Sequence, residues 1–425
     1  MKTARRLFYP LLAVGVVCGL GGAVIYRFSG IPERKALAIE MKRARALGLP
    51  FTSEEMWGAP IPASHNAGPL YAQLLSHERQ LERTRSAIRR LEATKDRAAM
   101  AATLKPVEAD LALVERASML PECQFKRTDG WDVVFKELMP MRTAVDLLSV
   151  RAGIEAEAGD PMRAMATLSH AARAVAHMGK ERTLIAKLYQ SDMEGSVLRG
   201  AQRVLTGFGH RADVREAARK LVRDFGPVPD FREGMRGEWY FQRQVFAGLD
   251  ASKIKPSELV SGDSSETSAM TTILRTPVLR ARQELVMVRI FLSAYESLPA
   301  DNAQVMEALK VTATADNKIR TDDFDHTLAN NFLAVFSGGP VSTGRALAAR
   351  RSFVILTYAL ESSSPPRKLP VTGPEAIDPF TGKPLHYRAT KKEVRVWSVG
   401  ADGKDDGGLV KRTADAEDIT ALWPR

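Results

Sequence analysis

A mainly α fold is predicted for this chain: an N-terminal transmembrane helix, an irregular helical-hairpin body of tetratricopeptide-like or bundle type, and a small C-terminal α+β element with a β-hairpin. Three observations predict it. Aromatic residues fill only 7% of 425 positions while Ala, Leu, Arg and Glu abound, which suits helix packing better than a broad sheet. Apolar residues recur at helical spacing through most of the body, and short β-prone runs replace them beyond Pro365. The length exceeds one ordinary core, so two or three folded units are expected.

On these signals the chain divides into an anchor (1–30), a juxtamembrane helix and Pro-rich linker (31–69) and a helical-hairpin body (70–249). A flexible loop (250–277), a helical continuation (278–364) and a C-terminal β element (365–425) follow. The anchor rests on Leu7 to Tyr26, twenty residues without a charged side chain, long enough to cross about 30 Å of hydrocarbon. Lys2, Arg5 and Arg6 precede it, so a cleaved signal peptide is the rival, but no A-x-A-like site follows. Cys18 follows Val16 and Val17 rather than small residues, which argues against lipoprotein cleavage. Membrane lipid is thus the expected partner of residues 7–26.

In the body, Leu74, Leu81 and Ile88 stand seven apart with Leu91 nearly on the same face, while His77 and Thr84 occupy the alternate seam positions; a bundle helix fits better than a coiled coil. Pro106 divides that region into two helices. At Gly159-Asp160-Pro161 a glycine ends one helix, Asp caps the next and Pro fits its first turn. Met165, Leu168, Ala172 and Val175 then share a face, and Leu184, Leu188, Leu198 and Leu205 continue the period. Ala156 to Ala176 has the spacing of a tetratricopeptide-like pair, without a recurring 34-residue period. Further helices are expected over Phe231–Leu249, Val278–Ser297 and Gly344–Glu361, and a hairpin over Leu385–Arg388 and Val394–Val399.

The formal charge of +11 is uneven: Met1 to Pro50 supplies +7, and the remaining 375 residues carry a net +4. A duplex-binding face is therefore not indicated, and no nucleic-acid partner is expected. Cys18 and Cys123 leave the body no internal disulfide. The seven histidines form neither HExxH nor a zinc-spaced cluster. His170 and His177, two turns apart, are read as helix-surface or core-edge residues. Asp322, Asp323, Asp325 and His326 read as a solvated loop, and Trp239, Tyr240 and Phe241 as core rather than a stacking platform. Neither a G-x-S-x-G elbow nor a P-loop is present.

The most specific string is Val396-Trp397-Ser398-Val399-Gly400-Ala401-Asp402-Gly403-Lys404-Asp405-Asp406-Gly407-Gly408, followed by Asp418-Ile419 and Trp423. Its glycines allow tight turns that expose carbonyl oxygens, and Asp402, Asp405, Asp406 and Asp418 offer hard carboxylate ligands of the kind Ca²⁺ prefers, though not in EF-hand spacing. A hairpin whose aspartates merely solvate a glycine turn explains the same residues.

Trp397 to Gly403 with Asp418-Ile419 resembles the calcium-binding tail of the type II secretion major pseudopilins. That resemblance implies a structural Ca²⁺ held by Asp402, Asp418 and the backbone at Val399, with Asp405 and Asp406 as further ligands. Prepilin processing and the Glu-bearing N-terminal helix are missing, so the chain as a whole is not a pseudopilin. Asn66-Ala67-Gly68-Pro69-Leu70-Tyr71, the hairpins from Asp160 to Leu205 and Asp378-Pro379-Phe380-Thr381-Gly382-Lys383-Pro384-Leu385 are similar to uncharacterised single-pass membrane proteins of planctomycete-type bacteria. This similarity implies an inner-membrane protein with an extracytoplasmic, periplasmic body, whereas the basic residues after the apolar run favour a cytoplasmic one. The expected function is a non-enzymatic cell-envelope scaffold binding a protein partner; the alternative is an envelope hydrolase using paired carboxylates.

Overall fold

The computed structural model describes residues 30–92, 94, 96–127, 135–255, 271–319, 338–362, 364–408 and 418–424, with residues 318 and 319 described by backbone alone. It is mainly helical with one small antiparallel sheet. The chain forms two compact units.

One unit gathers helix α1 (Ile31–Ala46), residues from Trp239 to Ser297 and, among the described residues, 312–319. Helix α1 starts behind Gly30 with Pro32 in its first turn and packs on α12 (Pro277–Ser297). Arg43 donates to Glu296 over 2.7 Å and Arg289 to Glu40 over 3.0 Å, so the charged flanks of both helices meet in pairs. Between them Trp239 packs against Phe51 and Phe291, with ring centroids 5.8 and 5.4 Å apart. Trp239 and Tyr240 are fully buried, as their reading as core residues expects.

The other unit holds the remaining helices and the sheet. Helices α2 (Ser53–Trp57), α3 (Gly68–Tyr71), α4 (Glu78–Glu92), α5 (Arg97–Leu104) and α6 (Glu108–Ala117) lead into the hairpins. A short 3₁₀ turn, Lys105–Val107, separates α5 from α6 at Pro106. The hairpins are α7 (Leu138–Glu157), α8 (Pro161–Met178), α9 (Leu184–Phe208) and α10 (Ala212–Asp224). Gly159, at φ 93°, closes α7 in the left-handed region that a Cβ disfavours, and Asp160 accepts the Arg163 N–H over 3.0 Å to cap α8. Leu168, Ala172 and Val175 face inward, as their spacing predicts.

Helix α11 (Phe231–Asp250) contributes its first eight residues to this unit, α13 (Val305–Ile319) its residues through Val311, and α14 (Gly338–Ala359) packs on α9 and on the sheet. The strands are β1 (His386–Ala389), β2 (Glu393–Ser398) and β3 (Ile419–Pro424), in that order, all antiparallel. The hairpin was expected; β3, pairing Val394 with Trp423 and Ser398 with Ile419, was not. Trp423 donates its indole N–H to the Leu205 carbonyl over 3.0 Å, which fastens β3 to the end of α9.

The membrane expectation is corrected here. Among the described residues no helix is long and apolar enough to cross a membrane. The long helices carry charge along their length: α12, for one, holds Arg280, Arg282, Glu284 and Arg289, each costly within hydrocarbon. The transmembrane, single-pass and inner-membrane assignments, and the extracytoplasmic placement tied to them, fall with this finding. The expected span Leu7–Tyr26 itself, like the acidic cluster at 322–326, lies outside the described residues, as does most of the expected loop, at 256–270.

Candidate functional site

A cleft of about 840 Å³ opens in the hairpin unit. Its walls come from α2, the extended stretch after α6, the end of α8, the start of α9 and the turn before α11. Met56, Ile61, Leu120, Pro121 and Val228 give it apolar walls. Among its polar lining, two residues on consecutive turns of α9, Lys187 and Gln190, are buried, at 5% and 2% exposed.

Both converge on Gly179. Lys187 Nζ donates to the Gly179 carbonyl, and the Gln190 amide lies so close that a Cβ at position 179 would stand 2.7 Å from its Oε1. A side chain at 179 would force the Gln190 amide to shift. The Gln190 amide N–H groups reach Glu194 (3.2 Å) and the Pro227 carbonyl (3.3 Å), yet Oε1 is buried with no hydrogen-bond donor. Burial lowers the Lys187 ammonium from its ordinary value, against the pull of Asp230, Glu233 and Glu181. A buried acceptor without a donor beside a desolvated ammonium is an arrangement that a ligand carrying both a carbonyl and an N–H would complete.

Most other reactive side chains of the cleft stand beside a partner, although Glu181 Oε2 and Glu233 Oε2 are buried without a hydrogen-bond donor. His177 receives the Tyr71 hydroxyl at Nδ1 (2.9 Å), so Nε2 carries the proton and donates to the Leu120 carbonyl (3.0 Å). Burial, with the Lys180 charge adding, depresses it to about 4, so the ring is neutral at pH 7. Cys123 is pushed far above a thiol's ordinary range by burial and then by Glu181, which leaves it a protonated, poor nucleophile. Of the acids, Glu181 sits 3.2 Å from Arg127, Asp230 caps the Glu233 N–H at 3.0 Å, and Glu233 lies 3.4 Å from Arg236.

The C-terminal loop places its five predicted ligands unevenly. Asp402 is exposed and accepts the Lys404 N–H (3.1 Å). Asp405 accepts the Trp397 indole N–H and the Gly407 N–H, each at 2.9 Å, and lies 3.3 Å from His386, which stacks on Trp397. Desolvation alone would raise the Asp405 carboxyl; those hydrogen bonds and His386 bring it below its ordinary value. Asp418 is buried, accepts the Gly408 N–H (2.7 Å) and is raised by burial, with the Asp406 and Asp405 charges adding. Asp406 Oδ2 and Asp418 Oδ1 are both buried without a donor. The Val399 N–H is bound to Asp378 (3.0 Å). Among the described residues no three His, Cys, Asp or Glu side chains are grouped to hold a metal ion.

No protein-family model matches the chain, no curated protein matches it in sequence, and no solved structure matches it.

Sequence reasoning missed Lys187, Gln190 and Gly179, which lie in an ordinary amphipathic stretch and one turn before it. It quoted Asp378 only as part of a motif. In the structure the Asp378 carboxylate takes the Phe380 N–H, the Ser398 hydroxyl and the Val399 N–H, at 2.9, 2.9 and 3.0 Å, and so pins the end of β2.

Proposed function

We propose that the chain is a non-enzymatic interaction protein whose hairpin unit takes an extended polypeptide into the cleft over Lys187 and Gln190. The observation that carries this reading is the buried Gln190 Oε1, which has no donor. A peptide group supplies what is missing: its N–H donates to Gln190 and its carbonyl accepts from Lys187. Alternate side chains of an extended segment would rest on Leu120, Pro121 and Val228. The hydrolase alternative loses support because each acid in the cleft already holds a partner, His177 has both ring nitrogens bonded, and Cys123 is held as a thiol.

The test is selection from a displayed random-peptide library on the purified protein, followed by binding of the selected peptide to Val228→Arg. The reading expects a consensus sequence, loss of binding in the variant and an intact peptide after long incubation. Binding that ignores the variant overturns the cleft assignment; a cleaved peptide overturns the non-enzymatic one.

A second reading concerns the tail, where Asp406 Oδ2 and Asp418 Oδ1 favour a cation. A Ca²⁺ ion held by these two carboxylates, with backbone carbonyls or water completing its shell, would neutralise two like charges and stiffen the Gly407–Gly408 turn. Asp402, turned to Lys404, and Asp405, turned to Trp397, are not part of this narrower set.

A further inference from the structure

A second cleft, of about 460 Å³, lies among α4, α7 and α9 in the same unit. Two arginine pairs line it, Arg85 with Arg89 on α4 and Arg199 with Arg203 on α9. Each pair is spaced i, i+4, so both guanidinium groups of a pair rise from one helix face. Against these four cations the lining holds two acids, Glu92 and Asp146. Arg85 is fixed 3.2 Å from Asp146 and 3.0 Å from Glu82, and Arg203 lies 3.6 Å from Glu92. Arg89 and Arg199 are exposed and have no carboxylate partner among the described residues.

Surface arginines are common, but four around one concavity with a surplus of two charges repel one another. Desolvation, with the Arg97 and Arg199 charges, lowers the Arg203 guanidinium against the opposing pull of Glu92. Gln202 lines the same cleft with its side-chain amide in no hydrogen bond among the described residues, while Ser196 is already spent on Asp146 (2.6 Å). Ile88, Leu147 and Val150 form the apolar part of the lining; none of the lining residues is aromatic, so a nucleobase would find no stacking partner.

We infer that this cleft is a binding site for a compact, multiply charged phosphate anion: a diphosphate group, inorganic or carried by a small molecule. Guanidinium forks match phosphate oxygens in pairs, and Arg89 and Arg199 supply the uncommitted ones while Arg85 and Arg203 hold the frame. The volume suits a small ligand rather than a folded partner. The site is separate from the Lys187 cleft and stands whether or not that cleft binds peptide.

The experiment is calorimetric titration of the full chain with inorganic diphosphate at low and at physiological ionic strength, beside sulfate and a short oligothymidylate. The comparison protein is the double variant Arg89→Gln/Arg199→Gln, whose replaced side chains hold no structural ion pair. Diphosphate is expected to bind, to weaken with salt, and to weaken by at least about tenfold in the double variant. The double variant is expected to keep the wild-type Tm without ligand. No heat with diphosphate, affinity unchanged in the double variant, sulfate binding as tightly, or the oligonucleotide binding more tightly would each overturn the assignment. Replacing diphosphate by a sugar diphosphate then separates the two sources: tighter binding than the inorganic anion assigns the ligand to a small organic molecule, and equal binding to the anion itself.

Discussion

Arg350 on α14 and Glu194 on α9 form a two-pronged ion pair in the interior, Nη2 to Oε1 at 2.6 Å and Nε to Oε2 at 2.8 Å, with Glu194 fully buried. The same guanidinium donates to the carbonyls of Gly226 (2.6 Å) and Pro227 (3.1 Å), and Gln190 binds both Glu194 and Pro227. One arginine thus braces the turn that forms a wall of the larger cleft and, through Glu194, the glutamine inside it. Burial raises the Glu194 carboxyl and Arg350 opposes that shift, so the glutamate depends on its partner to stay charged.

Removing one partner of a buried pair leaves the other charge uncompensated. Arg350→Met is expected to lower the unfolding free energy by about 3–5 kcal/mol in urea denaturation. Glu194→Gln in the same background should recover part of that loss. A single variant within about 0.5 kcal/mol of the parent would mean that the pair is not desolvated as described.

His177 predicts sensitivity to acid. Its folded pKa of about 4 lies below the ordinary 6.5, so its contribution is complete above pH 6.5 and is lost as pH falls toward 4, when the unfolded chain takes up the proton first. The loss amounts to about 3 kcal/mol. His177→Gln, which keeps a donor and an acceptor, should flatten the stability curve between pH 6.5 and 4. Parallel curves for the two proteins would refute the assignment.

Glu238 predicts the opposite slope. Burial raises it to about 7, against the Leu184 N–H that it accepts over 3.3 Å. Its contribution is complete below pH 4.5 and is lost as pH rises through 7, because the unfolded chain releases its proton first. Glu238→Gln should therefore be more stable than the parent at pH 8 by up to about 3 kcal/mol and equal to it at pH 4. Equal stability at both values would contradict the shift.

For the tail, calcium in excess is expected to raise Tm by several degrees, and Asp418→Asn should abolish the rise while leaving the calcium-free protein no less stable, since it removes a disfavoured charge. A Tm indifferent to calcium removes the cation.

The helices were legible because their evidence is local: the Gly159-Asp160-Pro161 junction and the Leu168, Ala172, Val175 face need only a few neighbouring residues to be read. The third strand was not, since Ile419–Pro424 pairs with β2 from about twenty residues away and takes its anchor, Leu205, from another helix. The tail aspartates were legible as a group but not in their division of labour, because Trp397 and His386 claim Asp405 from the sheet. The Lys187 cleft was invisible for the same reason. Lys187 and Gln190 look like solvent-facing helix residues, and only the packing of Gly179 and Pro227 against them turns both inward.

The most direct test of the peptide-binding cleft is amide hydrogen exchange with and without a library-selected peptide at saturation. The account predicts added protection confined to four stretches that line the cleft: 56–61, 118–124, 176–190 and 225–230. Protection elsewhere, or none while the peptide is demonstrably bound, would contradict it.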